Sequence, residues 1–329
     1  MSTQMQGQVD VDPNAKYMPN ASLLPSSAQE RHRVRKLLSF ASVLALLTGI
    51  AIVSTTSAYA ATDRSGAERL NIPNSSACRA GRTVMQGMVA GPGGQLYIIF
   101  TKAGGEDPVL SRWLRDGSTW DGASWTCAGA PTSIPVLGHG NDLAYHPDYR
   151  DQGPALIATQ GSESAYPSAD VTVIHLNSSG SIGASEVVHL PIGNISGLCY
   201  SATAADGAGR YAARRSGNLW THPGAGSLTS GWTLVKSNLT SHDNRSDQGT
   251  DCSENYVWNT KSINSSTPET GWNWVYQYNW SGGDVESDIG IPGNGKTDEI
   301  EDVTHIGSDF FIGVNRNSGD PDSVKVFIE

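Results

Sequence analysis

The densest group of side chains able to do chemistry is Gly138-His139-Gly140-Asn141-Asp142-Leu143, with an imidazole, an amide and a carboxylate inside four residues. An imidazole beside a carboxylate is an acid–base pair, and carboxylate and amide oxygens together are hard ligands for a cation. Similar clusters recur at Gln86-Gly87-Met88, Ser196-Gly197-Leu198, Gln248-Gly249-Thr250 and Glu301-Asp302-Val303. Their middle residues fall at 87, 142, 197, 249 and 302, in steps of 55, 55, 52 and 53.

Placed side by side, the five segments give a ring of oxygen-bearing side chains: Gln86, Asn141, Ser196, Gln248 and Glu301, flanked by His139, Asp142, Asp251, Glu299 and Asp302. Such a ring suits Ca²⁺, which takes six to eight oxygens. The plainer alternative is that these groups hydrogen-bond strand ends and channel water. His139 with Asp142 or Glu301 is the candidate acid–base pairing. No Gly-x-Ser-x-Gly and no His-Glu-x-x-His occurs, so no catalytic residue is assigned. A second candidate is the run 271–280, where Trp272, Trp274, Tyr276, Tyr278 and Trp280 share one parity. On a strand they form one aromatic face, either a platform for sugar rings centred on Trp272, Trp274 and Tyr276 or packing between sheets.

The elements that must position these groups are short strands. Each cluster precedes a short apolar run, a turn rich in Gly, Asp or Pro, and a second apolar run; most repeats add a third alternating strand. Gly at 37 residues and Pro at 16 punctuate the chain, and nothing after residue 60 keeps helical periodicity for three turns. A period near 54 residues filled with strands predicts an all-β, five-bladed β-propeller, one repeat per blade; a β-sandwich is the alternative. The chain ends on a strand, so residues 67–75 are expected to complete the last blade beside it.

The basic cluster Arg31–Lys36, the uncharged run 37–53 and the small residues Ser57-Ala58-Tyr59-Ala60 read as a signal peptide cleaved after Ala60, the alternative being a retained anchor. The expected organisation is thus a leader at 1–60 with a long polar start, a segment at 61–83, and a propeller at 84–329. The leader holds five of the 22 basic and three of the 32 acidic residues, so the remainder carries 17 and 29, a net charge of −12. That surface repels nucleic-acid phosphates and anionic membranes. Cys78, Cys127, Cys199 and Cys252 all follow the leader, as two disulfides in an exported chain would. Cys199 lies two residues after its repeat glycine and Cys252 three, so they face opposite sides of neighbouring blades. This favours Cys199–Cys252 and hence Cys78–Cys127; a zinc site lacks the ligand spacing.

The segments 138–148, 248–258 and 299–315 resemble blades of the helveticin J-like proteins, secreted class III bacteriocin-type propellers of Gram-positive bacteria. The matching positions are His139, Asn141 and Asp142; Gln248, Gly249 and Asp251; and Glu299, Glu301 and Asn315. The resemblance implies a secreted antagonistic protein recognising a cell-surface glycan or polymer. A metal-dependent hydrolase or lactonase with a divalent ion in the central channel is the enzymatic alternative, and a structural surface protein the third.

Overall fold

The structure, a computed structural model, describes residues 62–63, 68–71, 76–102, 105, 107–116, 124–160, 170–205, 207–239, 246–262, 272–283, 289–292, 298–307, 309–316 and 323–327. The expected leader, 1–60, lies outside them. The fold is an all-β propeller. The strands of the described residues form five sheets, each built on an antiparallel meander that starts at its innermost strand and runs outward. The inner strands are Val84–Ala90, Leu143–His146, Gly197–Ser201, Ser246–Cys252 and Asp298–Ile306, and each packs against the next, the last returning to the first.

The second strands explain why the sequence shows apolar runs rather than alternation. All of Leu96–Thr101 and all of Ala155–Thr159 are buried, because a neighbouring sheet covers each face. Leu96, Ile98 and Phe100 join Met85, Met88 and Phe311 on the fifth-sheet side, while Tyr97 and Ile99 join Leu143, Leu156 and Ile174 on the second-sheet side. Three further clusters fill the remaining gaps: Val171, Leu198 and Tyr211 between the second and third sheets; Cys199, Val257 and Tyr276 between the third and fourth; and Trp258, Val303 and Ile312 between the fourth and fifth. Five apolar interfaces thus join five sheets in a circle, which a sandwich of two sheets does not allow.

The last sheet is completed by the segment before the repeats: Glu68–Asn71 pairs antiparallel with Ser323–Phe327. Thr62–Asp63 adds in parallel to Ile289–Pro292 of the fourth sheet, an addition that no sequence signal indicated. The fourth inner strand ends at Cys252, and Ser253 to Asn255 form the turn to Tyr256–Ser262, so the strand expected after Asp251 begins several residues earlier.

Disulfides join Cys78 to Cys127 and Cys199 to Cys252. The second ties the inner strands of adjacent sheets, and the pairing removes the zinc alternative. No helix among the described residues is long and apolar enough to cross a membrane.

Candidate functional site: the central channel

The five middle residues of the repeat stand at equivalent points on the inner strands: Gly87, Asp142, Gly197, Gly249 and Asp302. A register shift marks three of these strands, between Met85 and Met88, between Asp247 and Thr250, and between Ile300 and Asp302. Such bulges bend a strand and release backbone groups from the ladder. The released groups converge. Asp142 Oδ1 accepts from Leu143 N (2.7 Å), and its Oδ2 accepts from Leu198 N (2.6 Å) and Thr250 N (2.9 Å). Asp302 Oδ2 accepts from Met88 N (2.5 Å) and its Oδ1 from Val303 N (2.7 Å). Each donor is the residue immediately after a repeat centre, one per sheet.

Glycine at the other three centres makes this possible. A Cβ on Gly249 would lie 1.7 Å from Asp302 Oδ1, and one on Gly197 would lie 2.0 Å from Thr250 Oγ1 and 3.1 Å from Asp142 Oδ2. On Gly87 it would meet the Asp142 backbone at 2.9 Å. Two carboxyls therefore fill space that three glycines leave open.

Both carboxyls are fully buried. Burial pushes both well above the usual carboxylate range, and they hydrogen-bond to each other, which holds Asp142 down and raises Asp302 further. Asp142, with three backbone donors, is the carboxylate; Asp302, with two, keeps the shared proton. The arrangement does not fit the expected Ca²⁺. Five N–H dipoles point their positive ends at the same oxygens, where a cation needs free lone pairs. No group of three or more His, Cys, Asp or Glu placed to hold a metal occurs among the described residues.

The first residues of the five clusters lie one step earlier, at the N-terminal mouth of the channel, where the inner strands begin. Gln86 and Glu301 are buried, and Asn315 Nδ2 donates to Glu301 Oε1 at 3.4 Å. Ser196 Oγ donates to Arg214 O at 3.3 Å. Asn141 is half-buried, with its Oδ1 enclosed and without a hydrogen-bond partner among the described residues. Gln248 is half-buried, and His139 packs on the backbone of Gly105. Burial raises the Glu299 carboxyl.

Three charged residues that sequence reasoning missed complete this mouth. Arg214 and Lys261, only 1% and 5% exposed, both bind Asp247 Oδ1, Arg214 through Nη2 at 3.2 Å. Burial opposes ionisation of Asp247, but the two cations hold it below its ordinary value. Nε and Nη1 of Arg214 are enclosed with no hydrogen-bond partner among the described residues. Arg214 pairs with Gly197 across the ladder and Lys261 with Asp247, so the second strands deliver them to the same end as the repeat clusters. The available signal was the pair Arg214-Arg215 directly after the apolar stretch Tyr211–Ala213.

Asp251 does not join them. It lies one residue beyond Thr250, the carboxyl pair's donor on this strand, towards the opposite mouth, and is bound to His305. The aromatic run also departs from the platform expectation: Tyr276 and Tyr278 are buried and Trp274 and Trp280 pack beside them against Cys199 and Cys252. Trp272 has a described backbone only. This stripe is the packing face between the third and fourth sheets.

No protein-family model and no curated protein matches the chain. Among solved structures, it is similar to a glycosyl hydrolase from Bacteroides ovatus (10% identity, 79% of this chain and 94% of that one, TM-score 0.45). It is similar also to the catalytic domain of a GH62 α-L-arabinofuranosidase from Coprinopsis cinerea (12% identity, 78% and 94%, TM-score 0.42). The β-propeller domain of Cps50 from Myceliophteria thermophila gives 11% identity over 71% and 67%, with a TM-score of 0.29. Identities this low and TM-scores below 0.5 carry no activity or ligand over to this chain.

Proposed function

We propose that this is an exported five-bladed propeller, released from a leader at 1–60, that binds a glycan or polymer of a cell surface at the N-terminal mouth of its channel. The observation that carries the reading is the set of buried but unmatched polar atoms there: Arg214 Nε and Nη1 and Asn141 Oδ1. Leaving such atoms unpaired costs about 1–3 kcal/mol each, and a ligand rich in hydroxyls supplies both acceptors and donors. The two disulfides accord with export, and the net negative charge argues for an uncharged rather than phosphate-rich polymer. The resemblance to helveticin J-like proteins adds an antagonistic role against other cells to the proposal.

The test is binding of residues 61–329 to a glycan array and to purified cell-wall polymers. Saturable binding that falls about tenfold in Asn141→Ala, at unchanged melting temperature, is expected. Absence of binding to every glycan and wall fraction, or binding indifferent to both Asn141→Ala and Arg214→Gln, would sink the proposal. The antagonistic role is read separately, as growth inhibition by the purified protein.

A further inference from the structure

The C-terminal mouth of the channel, beyond the carboxyl pair, holds a cavity of about 250 Å³. All five inner strands line it, at Val89, Leu143, Cys199, Asp251 and Thr304 among others. Its polar features are Asp251 and His305, with hydroxyls from Tyr145, Tyr200, Thr203 and Ser253 on the walls. His305 Nδ1 and Asp251 Oδ2 lie 2.5 Å apart, the imidazole side chain 25% exposed and the carboxylate 12%. Among the described residues Nε2 of His305 makes no hydrogen bond. The ring is held between Trp258 (5.4 Å) and Phe310 (6.1 Å), so its outer nitrogen is fixed in direction.

We infer that this cavity is a second ligand site, independent of the N-terminal mouth, which takes one uncharged polyhydroxylated molecule of single-sugar size hydrogen-bonded to His305 Nε2. Size and charge select this class. The volume admits one six-membered ring. The lining's only charges are Asp251 and His305, so it is neutral when the imidazole is protonated and negative when it is not. An anion is therefore unfavourable in one state and unsupported in the other. A hydroxyl accepts from Nε2–H and donates to the bare Nε2 lone pair, so it alone pairs with the histidine in both states. A carboxylate pairs only with the first and an ammonium only with the second. Asp251, by engaging Nδ1, leaves Nε2 to face the ligand in either state. An Asp–His pair that only ties the fourth and fifth sheets would have the same contacts but no ligand response, which sets the test.

His305 ring resonances of residues 61–329 are followed by NMR during titration with glucose, galactose, N-acetylglucosamine and arabinose, with sodium acetate and tetramethylammonium chloride as charged probes. A saturable shift of the His305 signals with at least one neutral sugar is expected, persisting at pH values on both sides of the imidazole titration. Affinity should fall about tenfold in Tyr200→Phe or Thr203→Ala, read from the same resonances, and stay unchanged in Asn141→Ala. In His305→Gln, intrinsic tryptophan fluorescence reports the loss. No saturable response to any neutral sugar, or a response to acetate or tetramethylammonium alone, overturns the inference. Loss in Asn141→Ala would also overturn it, by assigning the response to the other mouth; failure of glycan binding there leaves this site's test intact.

Discussion

Asp142 and Asp302, 160 positions apart in sequence, meet on the channel axis as one hydrogen-bonded carboxyl pair that receives a backbone N–H from every sheet of the ring. The pair does what a hub does: each inner strand is fixed to one of two central side chains rather than only to its neighbours. Its two members are not equivalent, because Asp142 takes three of the five donors and bridges the second, third and fourth sheets.

That asymmetry predicts unequal mutants. Asp302→Asn keeps one acceptor for the backbone and an N–H for the Asp142 carboxylate, losing about 1 kcal/mol. Asp142→Asn replaces an acceptor of three N–H groups by one oxygen and one NH₂ and also puts a donor against Asp302. It should cost about 3 kcal/mol or more, since buried donors are left unmatched. Chemical denaturation of both variants checks the order; equal losses would remove the assigned division of charge.

The same pair sets a pH dependence. Both carboxyls titrate higher in the folded than in the unfolded chain, so the contribution is fully present below the unfolded value of 3.8. It declines as pH rises towards the folded value, because the unfolded chain releases a proton that the folded pair keeps. Asp302→Asn removes that proton and should flatten this part of the stability–pH curve. A profile from pH 4 upward for both proteins, at constant salt, reads it; identical slopes would contradict proton sharing.

Much of this was legible in the sequence because the spacing of Gly87, Asp142, Gly197, Gly249 and Asp302 is a chain-level property, and a meander of local hairpins preserves it. The cysteine parity was legible for the same reason. What the spacing does not carry is which residue of each cluster faces the axis, since a one-residue bulge exchanges the faces. So Gln86 and Glu301 form the mouth, while the glycine and aspartate beside them form the hub. The aromatic stripe from Trp274 to Trp280 has one parity on a platform or in an interface alike. In a propeller both faces of a sheet are covered, and the inward reading applies. Arg214 and Lys261 come from second strands outside the repeated motif, and only tertiary pairing brings them to Asp247.

Replacing Gly249 by Ala tests the space left for the hub. The added Cβ falls 1.7 Å from Asp302 Oδ1, so the carboxyl or the bulge must move. A loss of about 1–3 kcal/mol is expected from overpacking, measured by denaturant titration. In the Asp302→Ala background most of the clash is gone, and the same substitution should cost clearly less. Additive losses would place the strain elsewhere.

The Asp247 cluster gives the last prediction. Asp247→Asn removes the carboxylate on which the buried Arg214 and Lys261 close, and breaking such a group by removing one member costs about 3–5 kcal/mol. In the wild type the depressed folded value of Asp247 makes its contribution present above 3.8 and lost as pH falls through the folded value, opposite in sign to the carboxyl pair. Asp247→Asn should therefore be least harmful in acid, where the wild-type carboxylate is itself protonated. The variant Arg214→Met with Asp247→Leu, which removes one charge of each sign, should recover part of the loss, because an apolar replacement avoids desolvating either ion. Stability curves of the three proteins between acid and neutral pH decide it, and a single mutant no worse than the double would show that the cations find other partners at the mouth.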